Sequence, residues 1–256
     1  MIKRPYNELL NRLETIAESP QVLLQSLGEF ETAGRTYNMV VLELGKPGPG
    51  KRSVMLGGGI HGDEPAGVEA AVRFLEENAA NDALLTQFHF VVFPCGNPSG
   101  YESDTRENAN GVDLNREFAM RNPSVEVELI MKGLAGRCFD LIFEMHEDID
   151  APGFYLYEIA GDPRNYIAEQ IIAAVESMGC PINTHRVIEH TRAENGIIRR
   201  DSIRFRKTGV PWAIYAYRTC GGHVITLEPP ASMLPLDDRV SIELTALRIA
   251  LQSLIK

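Results

Sequence analysis

The chain has 256 residues, 44% hydrophobic and 23% charged, with a formal net charge of −10. That length suits one large α/β domain or two small ones. The acidic balance argues against a nucleic-acid partner, which requires a basic surface to displace counterions.

In chain order, Leu9, Leu10, Leu13 and Ile16 fall at helical spacing and predict a helix over 5–18. TYNMVVLELG (36–45) reads as a strand and KPGPGK (46–51) as a turn. SVMLGGG (53–59) is a buried strand with a glycine exit. PAGVEAAVRFLEENAA (65–80) is a helix with proline in its first turn, where the missing N–H costs nothing. FHFVVFP (88–94) is the next strand. A polar loop from Cys95 to about Asn122 follows. Loops of that length in compact domains are functional or disordered.

A helix near 124–136 leads to the strand FDLIFEMH (139–146) and the short strand FYLYEIA (154–160). RNYIAEQIIAAVESMG (164–179) is helical. VPWAIYAY (210–217) and HVITLEPP (223–230) read as strands, and a helix from about Asp237 to Leu254 closes the chain. Strands and helices alternate without repeats or a linker. The expected fold is a single domain over 1–256, a three-layer α/β/α sandwich around a central mixed, largely parallel twisted sheet. Ligands of such sheets sit beyond the carboxyl ends of the strands.

The cysteines Cys95, Cys138, Cys180 and Cys220 form no CxxC pair. They read as buried free thiols in a reducing compartment. MIKRPYNELLNRLETIAES lacks the apolar core of a signal peptide. No window reaches the roughly 18 apolar residues of a membrane span. The expected setting is cytoplasmic, with no membrane partner.

LGGGIHGDEPAG (56–67) raises the chemical question. A phosphate loop would need GxxxxGK[ST], and a dinucleotide turn GxGxxG. Gly57, Gly59 and Gly62 partly fit the latter, but Asp63 and Glu64 would meet the phosphate and no lysine is near. The other reading is half of a metal site: His61 and Glu64 can converge on one zinc ion from a strand–helix turn. HxxE alone is weak and needs a third ligand. His146 ends an apolar strand and is the candidate, with Glu147 and Asp148 after it. His89 reads as packed within its strand, and His185 and His190 as solvated.

The loop GNPSGYESDTRENANGVDLNREF (96–118) would hang over the same strand ends. Its neighbours Asn115 and Arg116 suit a carboxylate, as an amide donor beside a guanidinium fork. Arg106 could polarise a carbonyl and hold an oxyanion. Glu228, ending HVITLE, could move a proton between water and a leaving amine.

HGDE, then NPSG with Arg106 and NANGVDLNREF, then His146, then TLE at Glu228 occur in that order over about Val54 to Pro230. This resembles the funnelin-type, carboxypeptidase A-like zinc carboxypeptidases. The compact length looks more like the short bacterial members, which include murein-peptide amidases. Succinylglutamate desuccinylase and aspartoacylase enzymes share the frame. The resemblance implies one zinc per chain on His61, Glu64 and His146. It implies Arg106 as the carbonyl-polarising arginine, Asn115 and Arg116 as the carboxylate grip, and Glu228 as general base. The implied function is hydrolysis of a peptide or amide bond next to a free carboxylate. The substrate would be a small peptide or, in the deacylase alternative, an N-acyl amino acid. A non-catalytic metal- or peptide-binding module is the non-enzyme alternative, though it leaves Glu228 and Arg106 without a task. The digestive enzymes also carry a tyrosine on a mobile loop. Here Phe205 lies near that spacing, and Tyr215 and Tyr217 fall on a predicted strand. The segment 192–207, with Arg192, Arg199, Arg200, Arg204, Arg206 and Lys207, reads as a solvated basic loop or a grip for an acidic group.

Overall fold

Three apolar runs, β3 (Arg52–Gly58), β4 (Phe88–Phe93) and β5 (Leu141–Met145), are buried along nearly their whole length. Continuous rather than alternating burial marks strands covered on both faces. The computed structural model describes residues 4–199 and 209–255, which contain these strands. The rest of the sheet comprises β1 (Val22–Thr32), β2 (Arg35–Leu44), β6 (Tyr155–Ile159), β9 (Ile197–Arg199) and β10 (His223–Glu228). A separate hairpin is formed by β7 (Val187–Ile188) and β8 (Thr191–Arg192). The eight strands run in the order β1-β2-β4-β3-β5-β10-β6-β9. The central pairs β4/β3, β3/β5 and β5/β10 are parallel, whereas β1/β2, β2/β4 and β10/β6 are antiparallel.

The helices are α1 (Tyr6–Ile16), α2 (Pro65–Asn78), α3 (Asp82–Leu85), α4 (Pro98–Ser103), α5 (Val125–Leu134), α6 (Ala168–Ser177), α7 (Trp212–Cys220) and α8 (Leu236–Ser253). Two adjacent glycines place them in layers. Successive strand residues point to opposite faces. A Cβ on Gly57 would meet the Trp212 ring of α7, and one on Gly58 would meet the Gly67 backbone of α2. The helix α8 packs on α2 and α6, on one side. On the other, α5 brings Gly133 against Phe93, which is edge-on to Trp212. The three-layer α/β/α architecture around a mixed sheet is therefore the observed one.

Two elements differ from the sequence reading. Of residues 210–217, expected as a strand, Val210 makes only a single bridge to Phe118, and Trp212–Tyr217 belong to the helix α7, with Pro211 at its N-cap. Short apolar runs do not distinguish a buried helix from a strand. Trp212, Ala213, Ile214, Ala216 and Cys220 are its buried set, so helical packing took the run. The strand β1 was not expected. A register shift between Ser26 and Gly28 breaks its alternation, so its buried residues Val22, Leu27 and Phe30 follow no period of two. Cys95, Cys180 and Cys220 are buried free thiols as expected, but Cys138 is exposed. No helix among the described residues is long and apolar enough to cross a membrane.

Candidate active site

The parallel strands β3, β5 and β10 end level with one another. Gly58 and Leu227 both register with Met145, and the His146 N–H donates to the Leu227 carbonyl at 3.1 Å. The residues just past these ends, 59–64, 146–148 and 228, therefore share one edge. The chain leaves β3 towards β4 on one side and the later strands lie on the other, the crevice where ligands of open α/β sheets bind.

Gly59, at φ +63°, turns the chain at the end of β3. Gly62 then passes so close to α4 that a Cβ would lie 1.9 Å from the Gly100 carbonyl carbon. The Arg4 guanidinium donates to the Gly62 carbonyl at 2.8 Å and secures this turn. It delivers His61 and Glu64, the residue that caps α2, into the crevice. His61 Nδ1 is 2.6 Å from Glu64 Oε1, and His146 Nδ1 is 2.7 Å from Glu64 Oε2. All three side chains are buried.

Among the described residues, this is the one group of three or more His, Cys, Asp or Glu residues whose candidate ligand atoms lie within 4.8 Å of one another. Two imidazole nitrogens and a carboxylate converging in a dry pocket suit zinc. Burial raises the Glu64 carboxyl, but the two imidazoles outweigh it and hold its pKa at about 2. Burial alone would lower His146; Glu64 and Glu144 instead raise it well above the usual histidine range.

Each imidazole has a second carboxylate at its far nitrogen. His61 Nε2 is 3.3 Å from Asp113 Oδ1, and His146 Nε2 is 3.4 Å from Glu144 Oε1. Sequence reasoning missed both acids. Asp113 sits inside GVDLNR, and Glu144 is the lone charge in the apolar run LIFEM, two residues before His146. That spacing puts Glu144 on the strand face of His146 and was the available signal.

The loop after β4 closes over this pocket. Arg106 donates to Asp113 Oδ2 through Nε at 3.3 Å and Nη2 at 3.2 Å, and its Nη1 lies 3.5 Å from Glu64 Oε1. Its side chain stays partly exposed. Burial would raise the Asp113 carboxyl, but His61 and Arg106 pull it far below the usual carboxylate range. Asn115 is buried, and its amide oxygen accepts the Trp212 N–H at 2.8 Å, so its amide nitrogen is the side-chain group left to donate. The exposed Arg116 donates to the Asn115 carbonyl at 3.0 Å.

Glu228 ends β10 beside Tyr155 of β6. Burial pushes its carboxyl well above the ordinary value. Nearby His146 opposes this, while Glu64, Asp148 and Glu144 add to it. The two acids after His146 separate. Asp148 accepts the Tyr155 hydroxyl at 2.9 Å on the Glu228 side. Glu147 is buried, accepts the Ala66 N–H at 2.5 Å and pairs with Arg239 of α8. Neither acid is a free solvated carboxylate. His89 pairs with Glu43 and His223 with Glu158, while His185 and His190 are exposed. Phe205, Arg200, Arg204, Arg206 and Lys207 lie outside the described residues. Of the remaining basic segment, Arg192 is exposed and Arg199 is paired with Glu158 and Glu169. Tyr215 and Tyr217 lie on α7 rather than on a strand.

Residues 15–128 match the zinc carboxypeptidase family. That match spans 114 of the 256 residues, and over it the chain is similar to the zinc carboxypeptidases. Carboxypeptidase B of Astacus astacus is 33% identical over 103 residues, which are 38% of this chain and 33% of that protein. Murein peptide amidase A of Escherichia coli K12 is 38% identical over 79 residues, 30% of this chain and 29% of that one. The matched segments thus span a third or less of these relatives' lengths. The zinc carboxypeptidase fold itself extends over nearly the whole chain. A metallo-carboxypeptidase from Burkholderia cenocepacia superposes with a TM-score of 0.71 at 19% identity, covering 97% of this chain and 69% of that one. Carboxypeptidase A of Helicoverpa armigera gives 0.69 at 18%, covering 98% and 73%.

Proposed function

We propose that the chain is a zinc-dependent amide hydrolase that cleaves a peptide or amide bond next to a free carboxylate. The observation that carries this reading is the buried convergence of His61, Glu64 and His146 at the strand edge that also holds Glu228. Zinc held by those three residues would supply Lewis acidity and a lowered pKa for water. Glu228 takes the proton of the attacking water and delivers it to the departing amine nitrogen as the C–N bond breaks. Its raised carboxyl suits it to exchanging that proton nearer neutrality than an ordinary glutamate. Arg106, partly exposed beside Glu64, donates to the oxyanion that develops on the carbonyl oxygen. Asn115 and Arg116 grip the neighbouring carboxylate, which sets the register of the substrate.

Purified protein should carry about one zinc per chain, and His61→Ala or His146→Ala should lose it. Removing one of three protein ligands weakens metal binding by orders of magnitude. Full metal content in His146→Ala, measured by elemental analysis, would remove that residue from the ligand set. The carboxylate grip is tested by comparing substrates with free and amidated carboxyl ends. Arg116→Ala should raise KM for the free form, because it removes the cationic partner of the substrate carboxylate. It should cost little on the amidated form. Equal wild-type turnover of both forms would refute the grip. Running C-terminal peptides beside N-acyl amino acids in the same assay separates peptidase or amidase from deacylase.

A further inference from the structure

We propose that Glu144 is a positioning residue for the metal site: its buried carboxylate receives the Nε2–H of His146 and so keeps Nδ1 free to coordinate. This rests on the zinc reading above. Glu144 and His146 are two residues apart on one strand and project from the same face. The gap from Glu144 Oε1 to His146 Nε2 is 3.4 Å. Glu144 is 1% exposed, and its Oε1, buried at ion-pair distance from His146, has no hydrogen-bond partner that satisfies it.

Its flanking positions keep the surroundings dry. Gly57 registers with Glu144 on β3, and Thr226 on β10. A Cβ at Gly57 would lie 3.0 Å from the Trp212 ring, so the indole roofs the same face. A carboxylate enclosed there has one imidazole to serve. A neutral imidazole carries a single N–H, and an acceptor at one nitrogen decides that the other presents its lone pair. Asp113 stands in the same relation to His61, at 3.3 Å. The site is thereby built from two carboxylate–imidazole pairs around the shared ligand Glu64. The acid on β5 supplies the half that the loop acid cannot reach. Such outer partners typically alter metal affinity about 10–100-fold when removed.

The test is zinc affinity of the full chain, by competition with a chromophoric chelator, for wild type and Glu144→Gln. The substitution keeps the shape but replaces the charged acceptor, which fixes the tautomer and raises the imidazole's basicity as a ligand, with a neutral amide that can turn its N–H₂ towards the ring. Affinity should fall about 10–100-fold, with circular dichroism confirming an intact fold. A second readout needs no variant. Long-range ¹⁵N correlation spectra of zinc-loaded wild type should show His146 protonated at Nε2. A folded Glu144→Gln that binds zinc within twofold of wild type overturns the proposal, as does a His146 proton on Nδ1. A wild type that takes up no zinc at all instead overturns the metal reading beneath it.

Discussion

Glu228→Gln should lower the turnover number by at least about 10²-fold, the lower end for losing a general acid–base group. It should leave folding and zinc content in place. The amide matches the carboxyl in size but cannot accept the water proton. Glu228 is not among the three converging candidate ligands, so its loss should not release metal. Substrate affinity should change little, because the proposed substrate-binding groups are Asn115 and Arg116 at the carboxylate and Arg106 at the carbonyl oxygen. Three measurements on the purified variant separate the outcomes. Loss of zinc would make Glu228 a ligand. Loss of folding would make it structural. Unchanged turnover with zinc bound would transfer the proton to another acid. Asp148 is the nearest alternative on that side, since Glu147 is committed to Ala66 and Arg239.

The largest expected effect on stability lies away from the active site, at Glu158. This carboxylate on β6 is 1% exposed and gathers five donors. Its Oε1 accepts the Ile167 N–H at 2.7 Å, the Ala168 N–H at 3.3 Å and His223 Nε2 at 3.0 Å. Its Oε2 accepts Arg199 Nε at 2.9 Å and Nη2 at 2.6 Å. It thus ties the start of α6, the edge strand β9 and the start of β10 together. Glu158→Gln leaves Arg199 short of its charge and turns an amide N–H₂ towards donors on one side. Breaking a buried pair by removing one partner costs about 3–5 kcal/mol. The urea midpoint should fall accordingly, and a loss below about 1 kcal/mol would reduce Glu158 to the level of a surface contact.

The sign of the pH dependence follows from the same contacts. Burial raises the Glu158 carboxyl, but His223, the Ile167 N–H and Arg199 outweigh it and lower it below the ordinary value. A lowered folded-state pKa contributes stability that is complete above the unfolded value of about 4.3 and is lost as pH falls towards the folded one. The wild type should therefore lose this share on acidification. Glu158→Gln should show a shallower decline over the same range, and parallel acid unfolding curves would contradict that account.

The convergence of His61, Glu64 and His146 was legible in the sequence because it rests on local geometry. His61 and Glu64 are three residues apart at a glycine turn, and His146 and Glu228 each close an apolar strand. Once the strands were placed, their carboxyl ends had to share an edge. Gly57, Gly58 and Gly59 could be read as the exit of a strand, but not as three separate fits. Only the folded chain sets Gly57 under Trp212 and Gly58 against Gly67, with Gly59 in a left-handed turn.

By itself the sequence determined the α/β/α architecture, the converging triad and the acid at the end of β10, since each depends on residue type and spacing along one or two segments. The tertiary structure alone decided the rest. Helical packing of Trp212 under Gly57 overrode a strand-like run, and the break in alternation at Ser26–Gly28 hid β1. Glu147 turned away to Arg239 while Asp148 turned to Tyr155, although the two are adjacent in sequence. Partner choice for a buried charge depends on which donors other segments bring within hydrogen-bond range, and a buried carboxylate must find them. That information is distributed over α2, α8 and β6, so no local pattern around His146 contains it.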